Sequence, residues 1–170
     1  MISALVVTAS NRAAAGVYAD TSGEALAELL RQVPGCRVDG PRVVPDGEAV
    51  EAALREAVAA GYDAIVTSGG TGVSPTDLTP EMTRRVIDYE IPGIPEAIRT
   101  VGLGYGVRDT PLYSAVLSRG VAGVAGRTLI VNLPGSKGGV KDGMAVLAPL
   151  LPHTVDQLHG GDHTTANPPQ

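Results

Sequence analysis

Aromatic residues are nearly absent from this 170-residue sequence, which has no Trp, no Phe and only five Tyr, although hydrophobic residues make up 44% of the chain. A core with this composition has to be packed from Val, Leu, Ile and Ala. Branched aliphatic residues favour strands that are buried on both faces of a parallel sheet. The length suits one compact domain. The composition therefore predicts a single α/β domain.

Lysine is also scarce, with only Lys137 and Lys141, and the net charge is -5. A nucleic-acid-binding protein needs a basic surface to neutralise phosphates, so this charge argues against DNA or RNA as a partner. The apolar residues 1–7 lack a basic segment and are too short for a signal peptide or a membrane span. We expect neither nucleic acid nor a membrane among the partners.

The sequence has one cysteine, Cys36, which has no second thiol for an internal disulfide or a zinc site. A single thiol favours a reducing compartment, so we expect a cytoplasmic protein. Free cysteines are usually buried, and Cys36 is predicted at the edge of a strand. The histidines lie near the C-terminus, away from every Gly-rich loop, which argues against Ser-His-Asp or Cys-His hydrolysis. They are His153, His159 and His163.

Runs of strand length rich in β-branched residues predict strands at residues 2–8, 62–67 and 128–133, and a less regular run predicts another at 37–44. Helical spacing predicts three helices between them. The first follows the capping candidates Thr21 and Ser22, and the second follows Asp46. The third begins where Thr79 can cap and Pro80 can take the first helical position, and it is predicted to run to about residue 89.

This alternation of strands and helices requires crossover connections, which make the strands parallel and place helices on both faces of the sheet. We therefore predict a three-layer, doubly wound, mostly parallel α/β domain over residues 1–158. Residues 93–118 have a broken periodicity that fits a helix followed by a lid or interface loop. Residues 159–170 have no apolar period and are predicted to be a disordered tail.

Ligands of doubly wound sheets bind beyond the carboxyl ends of the strands. Four segments rich in Gly, Pro, Ser, Asn or Asp should meet at this edge. They are residues 9–20, 45–48, 68–79 and 132–139. The binding site is therefore expected where these four loops converge.

The loop Gly69-Gly70-Thr71-Gly72 follows a predicted strand and precedes a predicted helix, as phosphate-binding loops do. Its glycines let backbone N–H groups point at one anion, and Thr71 and Ser74 can add hydroxyl donors. A carboxylate beside a bound phosphate would be repelled unless a cation lay between them, so Asp77 predicts Mg²⁺. The simpler alternative is that Asp77 caps the next helix or only places a negative charge at its start.

Asp46 has two open interpretations. It can be the N-cap of the helix that follows it, or it can share the cation with Asp77. The loop with Pro134, Gly135 and Ser136 leaves another predicted strand and offers a second anion site.

Polar groups elsewhere along the chain could complete this edge. Ser10, Arg12, Ser118 and Arg119 offer hydroxyls and guanidinium groups, although single arginines are often solvated surface charges. Two anion loops, two carboxylates, a cation and no histidine suit phosphoryl or nucleotidyl transfer. The substrate's own phosphate can be the nucleophile, because its second pKa is about 6.

Seven short motifs carry a resemblance that covers residues 5 to about 158. They are Ser10-Asn11-Arg12, Gly16-Val17-Tyr18-Ala19-Asp20, Pro45-Asp46, Gly69-Gly70-Thr71-Gly72, Asp77-Leu78-Thr79-Pro80-Glu81, Leu117-Ser118-Arg119 and Asn132-Leu133-Pro134-Gly135. With these motifs the chain resembles the molybdopterin adenylyltransferases of molybdenum cofactor synthesis, including the plant and animal G-domain homologues.

The resemblance implies that the terminal phosphate of molybdopterin attacks the α-phosphorus of ATP, with Mg²⁺ required, and that pyrophosphate leaves. It implies that Asp46 and Asp77 are the essential pair and hold the metal. It also implies that Gly69–Gly72 bind the ATP phosphates and that Ser118 and Arg119 hold the pterin or its phosphate. A homotrimer is implied too, and the molybdenum-insertion enzyme is left open as a further partner.

Two features of the sequence qualify the resemblance. Many members carry Asp where this chain has Asn11, so an acidic role is not expected there. For a sister group with the same fold and Gly-rich loop, adenylylation, pterin binding alone and an unassigned role all stay open, which keeps a binding or scaffolding module as the alternative function. The molybdenum-insertion enzymes contain this domain within a much longer chain, so the length favours the adenylyltransferases.

Overall fold

The structure is a computed structural model that describes residues 1–104 and 112–161. Among these residues, a six-stranded sheet has the order β2-β1-β3-β6-β5-β4. The strands are β1 (Ile2–Ala9), β2 (Cys36–Val44), β3 (Ala64–Ser68), β4 (Tyr89–Glu90), β5 (Ala122–Ala125) and β6 (Thr128–Leu133). Strands β2, β1, β3 and β6 are parallel, whereas β5 is antiparallel to both β6 and β4. The predicted mostly parallel sheet is confirmed.

Helices cover both faces of this sheet. They are α1 (Asn11–Ala14), α2 (Thr21–Arg31), α3 (Glu48–Ala59), α4 (Thr79–Arg84), α5 (Gly93–Gly102) and α6 (Lys137–Leu158), and a 3₁₀ turn covers Tyr113–Leu117. Side chains of α2, α5 and α6 form one core with the sheet, and side chains of α3 and α4 form the other. The predicted three-layer, doubly wound arrangement is therefore confirmed.

Successive side chains of the central strand β1 point alternately into the two cores, as the pleat of a strand requires. In β1, Ala4 and Val6 face the layer of α2 and α6, whereas Leu5 and Val7 face α3. Among the described residues, the buried hydrophobic side chains are aliphatic, with methionine the one addition, as the composition predicts. Such branched side chains pack closely between parallel strands and crossover helices.

The predicted strands agree with the observed ones to within a few residues. The strand at 128–133 is matched exactly by β6, and Cys36 is the half-buried first residue of β2. The strands β4 and β5 are absent from the sequence-based prediction. They have two and four residues, which is too short for a periodic pattern to be visible.

Three predictions about helix ends are wrong. The N-cap of α2 is Asp20, whose carboxylate accepts the Gly23 N–H at 2.8 Å, in place of Thr21 or Ser22. The N-cap of α4 is Leu78 in place of Thr79. Helix α4 ends at Arg84, well before residue 89, because the chain turns there to pair β4 with β5.

At the amino ends of the parallel strands, away from the predicted ligand loops, Asp63 connects β1 to the end of α6. Its carboxylate accepts hydrogen bonds from the Ser3 N–H at 2.7 Å and the Ser3 hydroxyl at 2.8 Å, and it lies 2.8 Å from Nε2 of His159. Burial raises the pKa of Asp63, but the bonds from Ser3 and the contact with His159 outweigh this effect and hold the pKa below its ordinary value. Residues 162–170 of the predicted tail lie outside the described residues.

Within residues 1–104 and 112–161, no helix is long and apolar enough to cross a bilayer.

Candidate active site

The four predicted loops meet beyond the carboxyl ends of the parallel strands. The Ser10 N–H donates to the Val44 carbonyl at 3.0 Å, which joins the loop after β1 to the end of β2. The Gly69 N–H donates to the Leu133 carbonyl at 3.1 Å, which joins the loop after β3 to the end of β6. The edge predicted from the alternation of elements is therefore the place where the motif residues converge.

Two glycines of the loop after β3 have backbone conformations that other residues rarely adopt. Gly69 has φ +94° and Gly70 has φ +66°. A side chain on Gly70 would collide with the carboxylate of Asp46, and one on Gly72 would lie 2.7 Å from Oδ2 of Asp77. Glycine is therefore required for the turn and for the close approach of two carboxylates to the backbone.

Asp46 contacts the beginning of α4. Its Oδ1 accepts a hydrogen bond from the Thr79 hydroxyl at 3.0 Å and another from the N–H of the next residue, Gly47, at 2.7 Å. Its Oδ2 accepts a hydrogen bond from the Leu78 N–H at 3.0 Å. The N-cap of α3 is Gly47, so the interpretation of Asp46 as that cap is wrong. These bonds hold the carboxylate in one orientation beside the glycine loop.

Asp77 turns back into its own loop. Its Oδ2 accepts the Ser74 N–H at 3.0 Å, and its N–H donates to the Ser74 carbonyl at 2.9 Å. The N-cap of α4 is Leu78, which has no side-chain capping bond, so the interpretation of Asp77 as a helix cap is wrong. The half-buried carboxylate is presented at the edge of the loop.

Two cavities adjoin the glycine loop. The first measures 320 Å³ and has mainly polar walls, which include Ser10, Asn11, Arg12, Tyr18, Asp46 and Thr76. The second measures 370 Å³ and has many apolar walls, which include Ile98, Leu112, Ala115, Leu117 and Pro134. Both are lined by Gly69, Gly70, Asp77 and Gly135. We call them the polar cavity and the apolar cavity, and their shared wall carries Asp77.

The predicted binding residues are divided between these cavities. Ser10 and Arg12 line the polar cavity, and Thr71, Gly72, Ser118, Pro134 and Ser136 line the apolar cavity. Ser74 and Arg119 line neither. The Ser118 hydroxyl donates to Oγ1 of Thr71 at 3.3 Å, which links the 3₁₀ turn to the glycine loop. Ser136 is the N-cap of α6, and its hydroxyl accepts the Gly139 N–H at 3.0 Å.

The guanidinium of Arg119 binds other residues of the chain and does not line either cavity. It donates from Nε to the Gly72 carbonyl and from Nη2 to the Asp77 carbonyl, each at 2.7 Å, and it forms an ion pair with Glu81. These contacts give Arg119 a role in holding the loop. Its contact with the pterin remains a prediction.

Residues that the sequence did not single out as ligands also contribute to the site. The amide oxygen of Asn11 accepts the backbone N–H of Asp46 at 3.0 Å, so this position holds the backbone of the Asp46 loop without carrying an acid. The Tyr18 ring lies 5.0 Å from the Arg12 guanidinium at the rim of the polar cavity. Asp142 is buried in α6 and lines the apolar cavity. No signal in the sequence pointed to Asp142, because a single acidic residue within a helical pattern is normally interpreted as a surface charge.

The site suits a metal that binds together with a phosphate. Among the described residues, no group of three or more His, Cys, Asp or Glu side chains could hold a metal. Mg²⁺ usually takes one or two protein carboxylates and completes its shell with water and substrate phosphates. Asp46 and Asp77, beside a glycine loop that a Cβ would fill, match that donor set.

Comparison with known proteins places this chain among proteins of molybdenum cofactor synthesis. Residues 5–153 match the family model described as "Probable molybdopterin binding domain". A molybdopterin adenylyltransferase of Helicobacter pylori is 34% identical over 159 residues, which are 91% of this chain and 86% of that protein. A molybdenum cofactor biosynthesis bifunctional protein of Chlorobaculum tepidum is 38% identical over 164 residues.

Coverage differs between these relatives. The match covers 93% of this chain and 49% of the Chlorobaculum protein, so the chain spans about half of that relative's length. A bifunctional protein of Synechococcus elongatus shows the same proportion, also at 49%.

Solved structures show the same likeness in three dimensions. The molybdopterin biosynthesis Mog protein of Mycobacterium ulcerans is 52% identical, with a TM-score of 0.84 and coverage of 93% of this chain and 99% of that one. The molybdopterin biosynthesis enzyme MoaB of Thermus thermophilus is 42% identical, with a TM-score of 0.83 and coverage of 94% and 98%.

Proposed function

The chain belongs to the family of molybdopterin-binding domains, and from this premise we propose that it adenylylates molybdopterin with ATP. The observation that carries the proposal is the position of Asp46 and Asp77 against one glycine loop, with Asp77 in the wall shared by two cavities. A reaction between two bound substrates needs such a common wall. The similarity to the adenylyltransferase of Helicobacter pylori supports the same activity.

The two cavities differ in the ligands they suit. The polar cavity offers Arg12, Ser10 and backbone groups of the glycine loop, which suit the charged phosphates of ATP. The apolar cavity offers Ile98, Leu117 and Pro134 around a few polar groups, which suits the flat ring system of a pterin. We therefore assign the nucleotide to the polar cavity and molybdopterin to the apolar cavity.

The proposed reaction is a substitution at the α-phosphorus of ATP. An oxygen of the molybdopterin phosphate forms the new bond to that phosphorus, and the bond from the α-phosphorus to the bridging oxygen of pyrophosphate breaks. The attacking phosphate is already largely ionised at neutral pH, because its second pKa is about 6, so no protein base is required. The protein contributes alignment of the two phosphates and stabilisation of developing charge.

Asp46 in the polar cavity and Asp77 in the shared wall would together hold Mg²⁺. The ion supplies neutralisation of the polyphosphate charge. The protein keeps the two carboxylates in place through the bonds from Thr79, Leu78 and Ser74. Ordered acceptors of this kind do not have to reorganise during the reaction, which is the basis of electrostatic preorganisation.

Three further properties belong to the same proposal. A homotrimer follows from the resemblance, and the exposed apolar side chains of Tyr113 and Val116 on the 3₁₀ turn supply contact surface for it. A cytoplasmic location is consistent with the single thiol of Cys36. The product, an adenylylated pterin, would pass to a molybdenum-insertion enzyme.

A turnover assay with labelled ATP, molybdopterin and MgCl₂ tests the proposal. We expect molybdopterin-dependent release of pyrophosphate by the wild type, and loss of most of it in Asp46→Asn. Glu28→Gln is the matched control, because it also converts an acid to an amide, at a side chain that is 66% exposed and lines neither cavity. Tight binding of molybdopterin without pyrophosphate release would instead identify a binding or scaffolding module.

A further inference from the structure

Arg119 joins three parts of the chain through one guanidinium group. Its Nε reaches the Gly72 carbonyl, its Nη2 reaches the Asp77 carbonyl, and its Nη1 pairs with the Glu81 carboxylate on α4. The backbone N–H of Arg119 also donates to the Thr71 carbonyl at 2.7 Å. The two carbonyls bound by the side chain are those of the first and last residues of the segment 72–77.

This segment has little packing of its own. Val73, Ser74, Pro75 and Thr76 are exposed, and the internal bonds run between Ser74 and Asp77 or between Ser74 and Thr76. An exposed loop with so few contacts retains conformational freedom unless something fixes its two ends. Arg119 contacts both ends at once.

The geometry of the contacts requires arginine. A guanidinium presents five N–H donors in a fixed planar fork, so it can reach two carbonyls and a carboxylate in different directions. A lysine ammonium keeps the charge, but it lacks the span and the fixed plane of that fork. Replacing Arg119 with Lys therefore separates the effect of the positive charge from the effect of the guanidinium shape.

We propose that Arg119, braced by Glu81, is a positioning residue that fixes the segment 72–77 and thereby holds Asp77 where the metal and the phosphates bind. The inference rests on the proposed function for the role of Asp77. The resemblance instead implies that Arg119 contacts the pterin, and the affinity for molybdopterin separates the two roles.

The test compares Arg119→Lys and Glu81→Gln with a matched control, Arg84→Lys. Arg84 also lies on α4 and pairs with an exposed carboxylate, Glu90, at 2.8 Å, but it does not contact the segment 72–77. Four readouts are needed. They are amide hydrogen exchange of a peptide covering residues 70–80, the affinity for Mn²⁺ with a non-hydrolysable ATP analogue, turnover with molybdopterin, and the affinity for molybdopterin.

We expect Arg119→Lys to accelerate exchange in residues 70–80 by about fivefold or more, because each bond that closes the loop limits its opening. We also expect Mn²⁺ affinity to fall by about fivefold and kcat by about tenfold, whereas molybdopterin affinity stays within about twofold. Glu81→Gln should show smaller changes in the same direction. Arg84→Lys should match the wild type in every readout.

Two results would overturn the inference. One is unchanged exchange in Arg119→Lys with a large loss of molybdopterin affinity, which would make Arg119 a pterin ligand. The other is faster exchange with unchanged Mn²⁺ affinity and kcat, which would make the brace irrelevant to Asp77. An inactive wild type would refute the proposed function alone, because exchange and Mn²⁺ binding are measured without turnover.

Discussion

Replacing Asp77 with Asn tests whether the carboxylate works through its charge. The substitution keeps the size of the side chain, and the amide oxygen of the introduced side chain can still accept the Ser74 N–H that Oδ2 of Asp77 accepts at 3.0 Å. The loop should therefore keep its shape. The loss is confined to the negative charge that faces the shared wall of the two cavities.

The size of the effect follows from the partial burial of Asp77. At an effective dielectric of about 20, two unit charges about 4 Å apart interact by about 4 kcal/mol. Water around Mg²⁺ and the phosphates themselves share this interaction, so we expect a loss of about 2.7 kcal/mol, or about a hundredfold in kcat.

The assay measures initial rates of pyrophosphate release for wild type and Asp77→Asn over a range of MgCl₂ concentrations, with Glu28→Gln as control. Added Mg²⁺ should restore part of the rate in Asp77→Asn, and the affinity for molybdopterin should be unchanged. Wild-type turnover of Asp77→Asn at limiting Mg²⁺ would refute the assignment of Asp77 to the metal.

Three further predictions concern other parts of the chain. Thr79→Val keeps the shape of a fully buried side chain but removes the donor to Asp46, so turnover should fall by about tenfold and stability by about 1 to 2 kcal/mol in urea titrations; unchanged turnover would show that Asp46 needs no such support. Asp63→Asn should destabilise the protein by about 1 to 3 kcal/mol at pH 7. Because the pKa of Asp63 is lowered by folding, its contribution is complete above the unfolded value of about 3.9 and is lost as pH falls through the folded value. The stability difference between the two proteins should therefore shrink as the pH is lowered into the acid range, and a constant difference would contradict this. Sedimentation should give a homotrimer, and a stable species of 17.3 kDa at micromolar concentration would contradict that prediction.

Local patterns in the sequence were sufficient for the layers of the fold. The strand at 128–133 has a continuous β-branched run between polar loops, and β6 occupies the same residues. Helix ends were less predictable, because they depend on partners elsewhere in the chain. Helix α4 stops at Arg84 because β4 pairs with β5, which lies more than thirty residues further along the chain.

The site shows the same division between local and distant information. The glycine loop and both carboxylates were recognisable from residue types and from their place after strands. The actual partners of Asp46 were not, because Leu78 and Thr79 lie 32 and 33 residues away. Arg119 was predicted as a ligand from its motif, whereas its fork reaches Gly72, which is 47 residues away in sequence and adjacent only in the fold.

The fate of the ATP phosphates tests the central claim most directly. The wild type is incubated with molybdopterin, MgCl₂ and ATP labelled at either the α- or the γ-phosphate, and the products are separated. Substitution at the α-phosphorus predicts that the α-label moves to molybdopterin and that the γ-label leaves in pyrophosphate. Transfer of the γ-label to molybdopterin, or no transfer of either label by protein that binds both ligands, would contradict the proposed reaction.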